Sequence, residues 1–251
     1  MFKDYKVVIT GATSGIGLAT ARKFLEEGAT VIGIGRNFDA TKDLGDRFIP
    51  FRCDVSKESE IDAAAKFIEE TFGGELDTFV NNAGAGVHST VKDVDMEEHR
   101  KGMDLLLNAP IQFGRNLYPM LLKSPRENGC IVNIASAAGH SISPDLLTYT
   151  LAKTAHIRLT EIQAAGFIGV RVNSVCPGYI DTPIFGRPGT DLPEEAIQAA
   201  YDAVSAVLPL GRIGQPEEVA EVIAFLCSED AMYINGADVR VDGGFTAVVS
   251  G

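Results

Sequence analysis

Val7-Val8-Ile9-Thr10-Gly11-Ala12-Thr13-Ser14-Gly15-Ile16-Gly17 joins a short, β-branched aliphatic run to a glycine-rich turn and then to an amphipathic segment over 16–27. A strand that enters a helix through such a turn is the opening unit of a parallel α/β sheet. Glycine lets the backbone turn tightly and approach a ligand, and the free N–H groups at a helix start carry partial positive charge. Gly11, Thr13, Ser14, Gly15, Ile16 and Gly17 are therefore a candidate pyrophosphate cradle. By itself the Gly-x-x-x-Gly-x-Gly spacing fits a plain tight turn equally well.

The rest of the chain repeats the unit. Strand-length aliphatic runs recur at 30–34, 48–53, 78–80, 130–134, 170–175 and 237–241, and helical periodicity fills 58–72, 97–122, 148–165 and 216–227. Seven strands alternating with helices predict a parallel sheet covered on both faces. The 251 residues suit one domain, 1–251, with no Pro/Ser-rich linker and no internal repeat. Its least regular part, 183–208, carries Pro183, Gly186, Pro188, Gly189 and Pro193; it reads as a substrate loop or as a surface excursion.

Composition removes several function classes. With 22 basic against 34 acidic side chains the net charge is −12, which argues against a grip on nucleic acid or on anionic membranes. No run of about 18 apolar residues occurs, as a membrane span requires, and the N-terminus lacks the pattern of a signal peptide. A cytoplasmic protein is the expectation. Cys53, Cys130, Cys176 and Cys227 are widely spaced, so reduced, buried thiols are expected and no metal site.

In an open α/β sheet, ligands bind beyond the carboxyl ends of the strands. Asp54-Val55 ends the third strand, placed to reach an adenine amino group, and Asn81-Asn82-Ala83-Gly84 ends the fourth; each is equally at home in a cap or turn. Tyr149 and Lys153 lie one turn apart on a predicted helix and share a face. A phenol's ordinary pKa of about 10 is too high for efficient proton transfer at neutral pH, and a neighbouring ammonium favours the phenolate. Ser136 comes after the fifth strand, its hydroxyl able to hydrogen-bond a substrate carbonyl.

Thr10-Gly-x-x-x-Gly-Ile-Gly17, Asn81-Asn-Ala-Gly84, Ser136, Tyr149-x-x-x-Lys153 and Pro177-Gly178 together resemble the short-chain dehydrogenases/reductases. The likeness extends through Arg171-Val172-Asn173, Pro209-Leu210-Gly211-Arg212 and Val241-Asp242-Gly243-Gly244, nearly the whole chain. It implies a Rossmann-type, doubly wound three-layer sandwich with a seven-stranded parallel sheet, and hydride exchange between a nicotinamide cofactor and a secondary alcohol or ketone. It also implies Tyr149 as catalytic acid/base with Ser136 and Lys153, and Asn108 holding a water that links Lys153 to solvent. Asn81 would lie near the adenosine ribose, Ala83 and Gly84 along the cofactor. Pro177, Gly178, Ile180 and Thr182 would lie by the nicotinamide, and the assembly would be a homotetramer or homodimer. The helix after Lys153 reads as shorter than the family's, over 161–169.

An acidic residue that would receive the ribose hydroxyls of NAD is expected at the end of the second strand. Here that end reads Ile34-Gly35-Arg36-Asn37. Arg36 can pair with a 2′-phosphate, so NADP is the expected cofactor, with NAD the alternative if Asp39 takes the ribose. Around the substrate, Gly86, His88, Ala138, His140, Leu146 and Tyr179 are expected, a mostly apolar lining that suits a hydrophobic ketone such as a hydroxysteroid. A 3-oxoacyl thioester reductase and a sugar or polyol dehydrogenase are the enzymatic alternatives, and a dinucleotide-sensing binding protein the non-enzymatic one. His140 can touch substrate or cap a turn, and the turn is preferred.

Overall fold

The computed structural model describes residues 1–183 and 194–249. Seven strands, β1 (Lys6–Thr10), β2 (Thr30–Gly35), β3 (Phe48–Arg52), β4 (Thr78–Asn81), β5 (Gly129–Ile134), β6 (Val170–Pro177) and β7 (Asp238–Val241), form one sheet in the order β3-β2-β1-β4-β5-β6-β7. Every neighbouring pair is parallel. The chain begins in the middle, winds outward to β3 and then crosses to β4 on the other side of β1. That reversal opens a crevice at the carboxyl ends of β1 and β4, where a doubly wound sheet binds its ligand.

Side chains alternate across a strand, and here they feed two cores. Val7 and Ile9 face the layer formed by α1 (Gly15–Glu26) and α7 (Pro216–Cys227), packing with Phe24, Val219 and Ile223. Val8 and Ile32 face the opposite layer, where α2 (Glu58–Phe72) and α4 (Ala109–Leu121) supply Ile61, Ile68, Phe113 and Leu117. The remaining helices are α3 (Met96–Met103), α5 (Leu147–Gly166), α6 (Glu194–Ser205) and the short α8 (Phe245–Val249). All four cysteines are buried and free. No described helix is long and apolar enough to cross a membrane.

One expectation is corrected. The periodicity over 97–122 does not give one helix: α3 passes through a wide π-turn, Asp104–Asn108, before α4 begins. Pro110 explains it, because its ring has no N–H for the Leu106 carbonyl and crowds it. The helix carrying Lys153, α5, runs 20 residues from Leu147 to Gly166, close to the expected 148–165. Of the irregular stretch 183–208, residues 184–193 lie outside the described residues, and α6 occupies most of the remainder.

Candidate active site

A cavity of about 1480 Å³ runs along the carboxyl ends of the strands. At one end lies the β1–α1 turn. Gly11 and Gly15 adopt left-handed φ values of 67° and 50°, conformations that a side chain would strain. Ser14, the residue before α1, makes no capping bond with its side chain, and the first turn of α1 holds no acidic residue. The helix start therefore directs uncapped N–H groups and positive dipole into the cavity, a fit for a phosphate. Gly17 does not line the cavity: a Cβ there would sit 2.2 Å from the Gly11 carbonyl oxygen, so its role is close packing of helix on turn.

The turn is held by Thr10, Asn82 and Ala83, named in the sequence motifs but not in this role. The backbone N–H groups of Asn82 and Ala83 both donate to the Thr10 hydroxyl, at 2.9 and 3.0 Å. The Asn82 amide donates to the carbonyls of Thr10 and Gly11, at 2.9 and 3.2 Å. Thr10 reads only as the last strand residue in sequence, and no local pattern announces a bond to a residue 72 positions away.

Arg36, Asn37, Asp54 and Val55 line the wall beyond the turn. Burial acts to raise the Asp54 carboxyl, but its hydrogen bonds from Ser56 and the positive charge of Arg36 outweigh that and hold it below the ordinary value. Asp39 is elsewhere, ion-paired to Lys42 at 2.8 Å and off the cavity wall. Asn81 is also not brought to the cavity. It is buried, its amide donating to Asn133 at 3.2 Å, and Asn133 in turn donates to Thr160 and Gln163 on α5, each at 3.0 Å.

At the other end, Ser136, Tyr149 and Lys153 converge on the same cavity, from the end of β5 and from α5. The Lys153 ammonium lies 5.8 Å from the centre of the Tyr149 ring and donates to the Ile134 carbonyl at 2.7 Å. Burial pulls the Lys153 ammonium down to about 8. Tyr149 is pushed up, against the sequence expectation, because burial outweighs the hydrogen bond from the Ser136 hydroxyl that favours phenolate. In the free protein the phenol is thus kept protonated. One turn on, the buried His156 is held well below its ordinary value by burial and by the Lys153 charge, so it stays neutral.

Asn108 does not join this group. Its side chain is exposed, donates to Asp104 at 2.7 Å and does not line the cavity. Within the π-turn Leu106 is buried, and a Cβ on Gly84 would meet its Cδ2 at 3.4 Å and the Lys153 Nζ at 4.0 Å. The π-turn adds one residue to a helical turn and so shifts the phase of the side chains around it, and periodicity does not carry that shift. Pro177, Gly178, Ile180 and Thr182 line the floor, with Thr182 packed on Gly15. Leu146, Tyr179, Ile142 and Phe245 shape the mouth, where the rings of Tyr179 and Phe245 meet edge to face at 5.3 Å.

Comparison with known proteins matches residues 11–246 to the family described as enoyl-(acyl carrier protein) reductase. The chain is 36% identical over 256 residues to cis-4-hydroxycyclohexanecarboxylate dehydrogenase of Sinomonas cyclohexanicum, covering 98% of each chain. It is 35% identical over 260 residues to the NADP-dependent (R)-specific alcohol dehydrogenase of Lentilactobacillus kefiri, again covering 98% of each. A Caenorhabditis elegans short-chain dehydrogenase/reductase, solved with its cofactor, superposes with a TM-score of 0.88 at 32% identity, over 100% of this chain and 97% of that one. The chain belongs to the short-chain dehydrogenases/reductases. It is an oxidoreductase acting on CH–OH groups with a nicotinamide dinucleotide.

Proposed function

We propose that the chain is a single catalytic unit that interconverts an apolar secondary alcohol and its ketone, with NADP preferred, and with Tyr149 as acid/base. The observation that carries this reading is the convergence of Ser136, Tyr149 and Lys153 on the cavity that also receives the uncapped start of α1. A reduced nicotinamide, when bound, supplies the hydride. The Ser136 hydroxyl donates to the substrate carbonyl oxygen and orients it. Tyr149, held protonated in the free protein by its desolvation, gives its proton to that oxygen as the alcohol forms. Lys153 lies against the phenol ring and stabilises the phenolate left behind.

Arg36 and Asn37 are the first side chains past β2 on the cavity wall, and no carboxylate stands there. This supports NADP, as does the NADP-dependent relative from Lentilactobacillus kefiri. For the substrate, the mouth formed by Ile142, Leu146, Tyr179 and Phe245 favours an apolar body, and the Sinomonas relative is named for a hydroxylated cyclohexane ring. A six-membered cyclic ketone is the class we place first. Exposed Leu151 and Ile162 on α5 support association into a homodimer or homotetramer. NADPH oxidation against cyclic, aliphatic, steroid, acyl-thioester and sugar ketones tests the reading. Turnover confined to the thioester or the sugar would overturn the substrate class, and cofactor binding without turnover of any ketone would overturn the catalytic reading.

A further inference from the structure

Ser136 opens a single 3-10 turn, Ala137–His140, and both ends of that turn are tied to strands on the far side of the site. At the start, the Ser136 backbone amide lies near enough to Cys176 of β6 to favour its thiolate, and the preceding Ala135 N–H donates to the Val175 carbonyl of the same strand at 2.9 Å. At the end, the His140 ring meets Asp238 of β7, Nε2 to Oδ2, at 2.6 Å. The two ties are joined to each other: the Cys176 thiol donates to the other Asp238 oxygen at 3.0 Å, and the Ser174 hydroxyl donates to the same oxygen at 2.5 Å. The ring of contacts therefore closes from Ser136 through Cys176, Asp238 and His140 back to the turn. These nitrogen, sulfur and oxygen atoms lie within 4.8 Å of one another, but each already serves its neighbour as donor or acceptor.

Polar side chains this close to an active site require a reason, because desolvating a carboxylate is costly unless its lone pairs are occupied. Asp238 has both oxygens occupied, by His140 on one side and by Cys176 and Ser174 on the other. The third fixture of the turn comes from α5, where the Thr154 hydroxyl donates to the Gly139 carbonyl at 3.0 Å. Gly139 leaves no room for adjustment on that side: a Cβ there would lie 2.7 Å from Ile157 and 3.1 Å from the Lys153 backbone. Without the ring on the β6–β7 side, the far end of the turn keeps only the hydrogen bond from Thr154 on α5, while its start keeps the Ala135 N–H to Val175 backbone bond.

We propose that His140 and Asp238 are positioning residues for Ser136, clamping the turn that aims its hydroxyl at the substrate carbonyl. The proposal rests on the catalytic reading above. A hydroxyl displaced by about 1 Å costs up to 10²-fold in rate, which is the scale of effect a clamp of this kind controls. His140→Ala is expected to lower kcat about 10–100-fold and to raise the ketone KM as well, because the turn is part of the cavity wall, while NADPH affinity changes little, since the β1–α1 turn is untouched. His140→Gln, which keeps a side-chain N–H in reach of Asp238, is expected to recover most of the loss.

Hydrogen exchange supplies a readout independent of activity. In His140→Ala and in Asp238→Asn, amides of residues 136–140 are expected to exchange faster, with α2 unchanged. Parent-like exchange in that turn overturns the proposal whatever the activity. So does a His140→Ala enzyme whose kcat stays within about twofold of the parent, since a 1 Å misplacement costs far more. Loss of the catalytic reading would show differently, as full activity in Tyr149→Phe with exchange at the turn still raised in His140→Ala.

Discussion

The two ends of the cavity are built on different principles. The nucleotide end, β1 through the start of α1, is made chiefly of backbone: left-handed glycines, uncapped helix N–H groups and carbonyls held by Asn82. The catalytic end is made of side chains drawn from β5, α5 and β6, with a buried ammonium and a half-buried phenol one turn apart. A backbone site depends on conformation and tolerates few additions. A side-chain site depends on burial, which sets the protonation of each group, so the two ends should fail in different ways.

The sharpest break between them is Tyr149→Phe. Loss of the proton donor is expected to lower kcat by about 10²–10⁴-fold. NADPH affinity, measured by fluorescence titration, should remain that of the parent, because the nucleotide end is untouched. Equal loss of binding and turnover would mean that the ends are not separable.

Next in size is Arg36→Ala. Losing charge-assisted bonds to a 2′-phosphate is expected to weaken NADPH by about 1.5–3 kcal/mol, on the order of 10–100-fold, with NADH little changed. The ratio of the two KM values reads this directly, and equal losses for both cofactors would remove Arg36 from specificity.

Asn81 sharpens the comparison from the other side, because its sequence neighbourhood suggests cofactor contact and its geometry does not. Asn81→Ala leaves the buried Asn133 oxygen without its donor, at a cost of about 1–3 kcal/mol. Thermal unfolding should report that loss while the NADPH KM holds, and a raised KM with unchanged Tm would return Asn81 to the cofactor.

The smallest effect is in the pH profile. Burial depresses the Lys153 ammonium to about 8, so in the free enzyme this charge is present below that pH and lost above it. kcat/KM for ketone reduction should therefore fall on the alkaline side with an inflection near that value. For stability the sign is opposite. Between that pH and the ordinary lysine range the unfolded chain binds the extra proton, so this group makes the fold relatively more stable as pH rises. Lys153→Arg should carry the alkaline limb of kcat/KM out of the measurable range, and an unmoved limb would assign it to another group.

Sequence alone determined the sheet and the shared helix face of Tyr149 and Lys153, because these are written in short periods or spacings that local geometry reads directly, whereas joining Ser136 to that pair rested on the family resemblance. Asn108 shows the limit. The family resemblance implied a place for it near Lys153, but at the π-turn before Pro110 its side chain is exposed and donates to Asp104 instead. Asn81 shows it again, since a strand-end asparagine faces the cavity or the core according to the phase of the pleat. The protonation of Tyr149 could not be read either: the lysine is one turn away in sequence, but burial, which is a property of the whole packed chain, acts more strongly on the phenol. The ring from Ser136 through Cys176, Asp238 and His140 spans three segments that only the β5-β6-β7 order makes neighbours. Local periodicity fixes what a segment becomes. Which atoms then face one another, and with what charge, is decided by tertiary packing, where desolvation and helix phase are set.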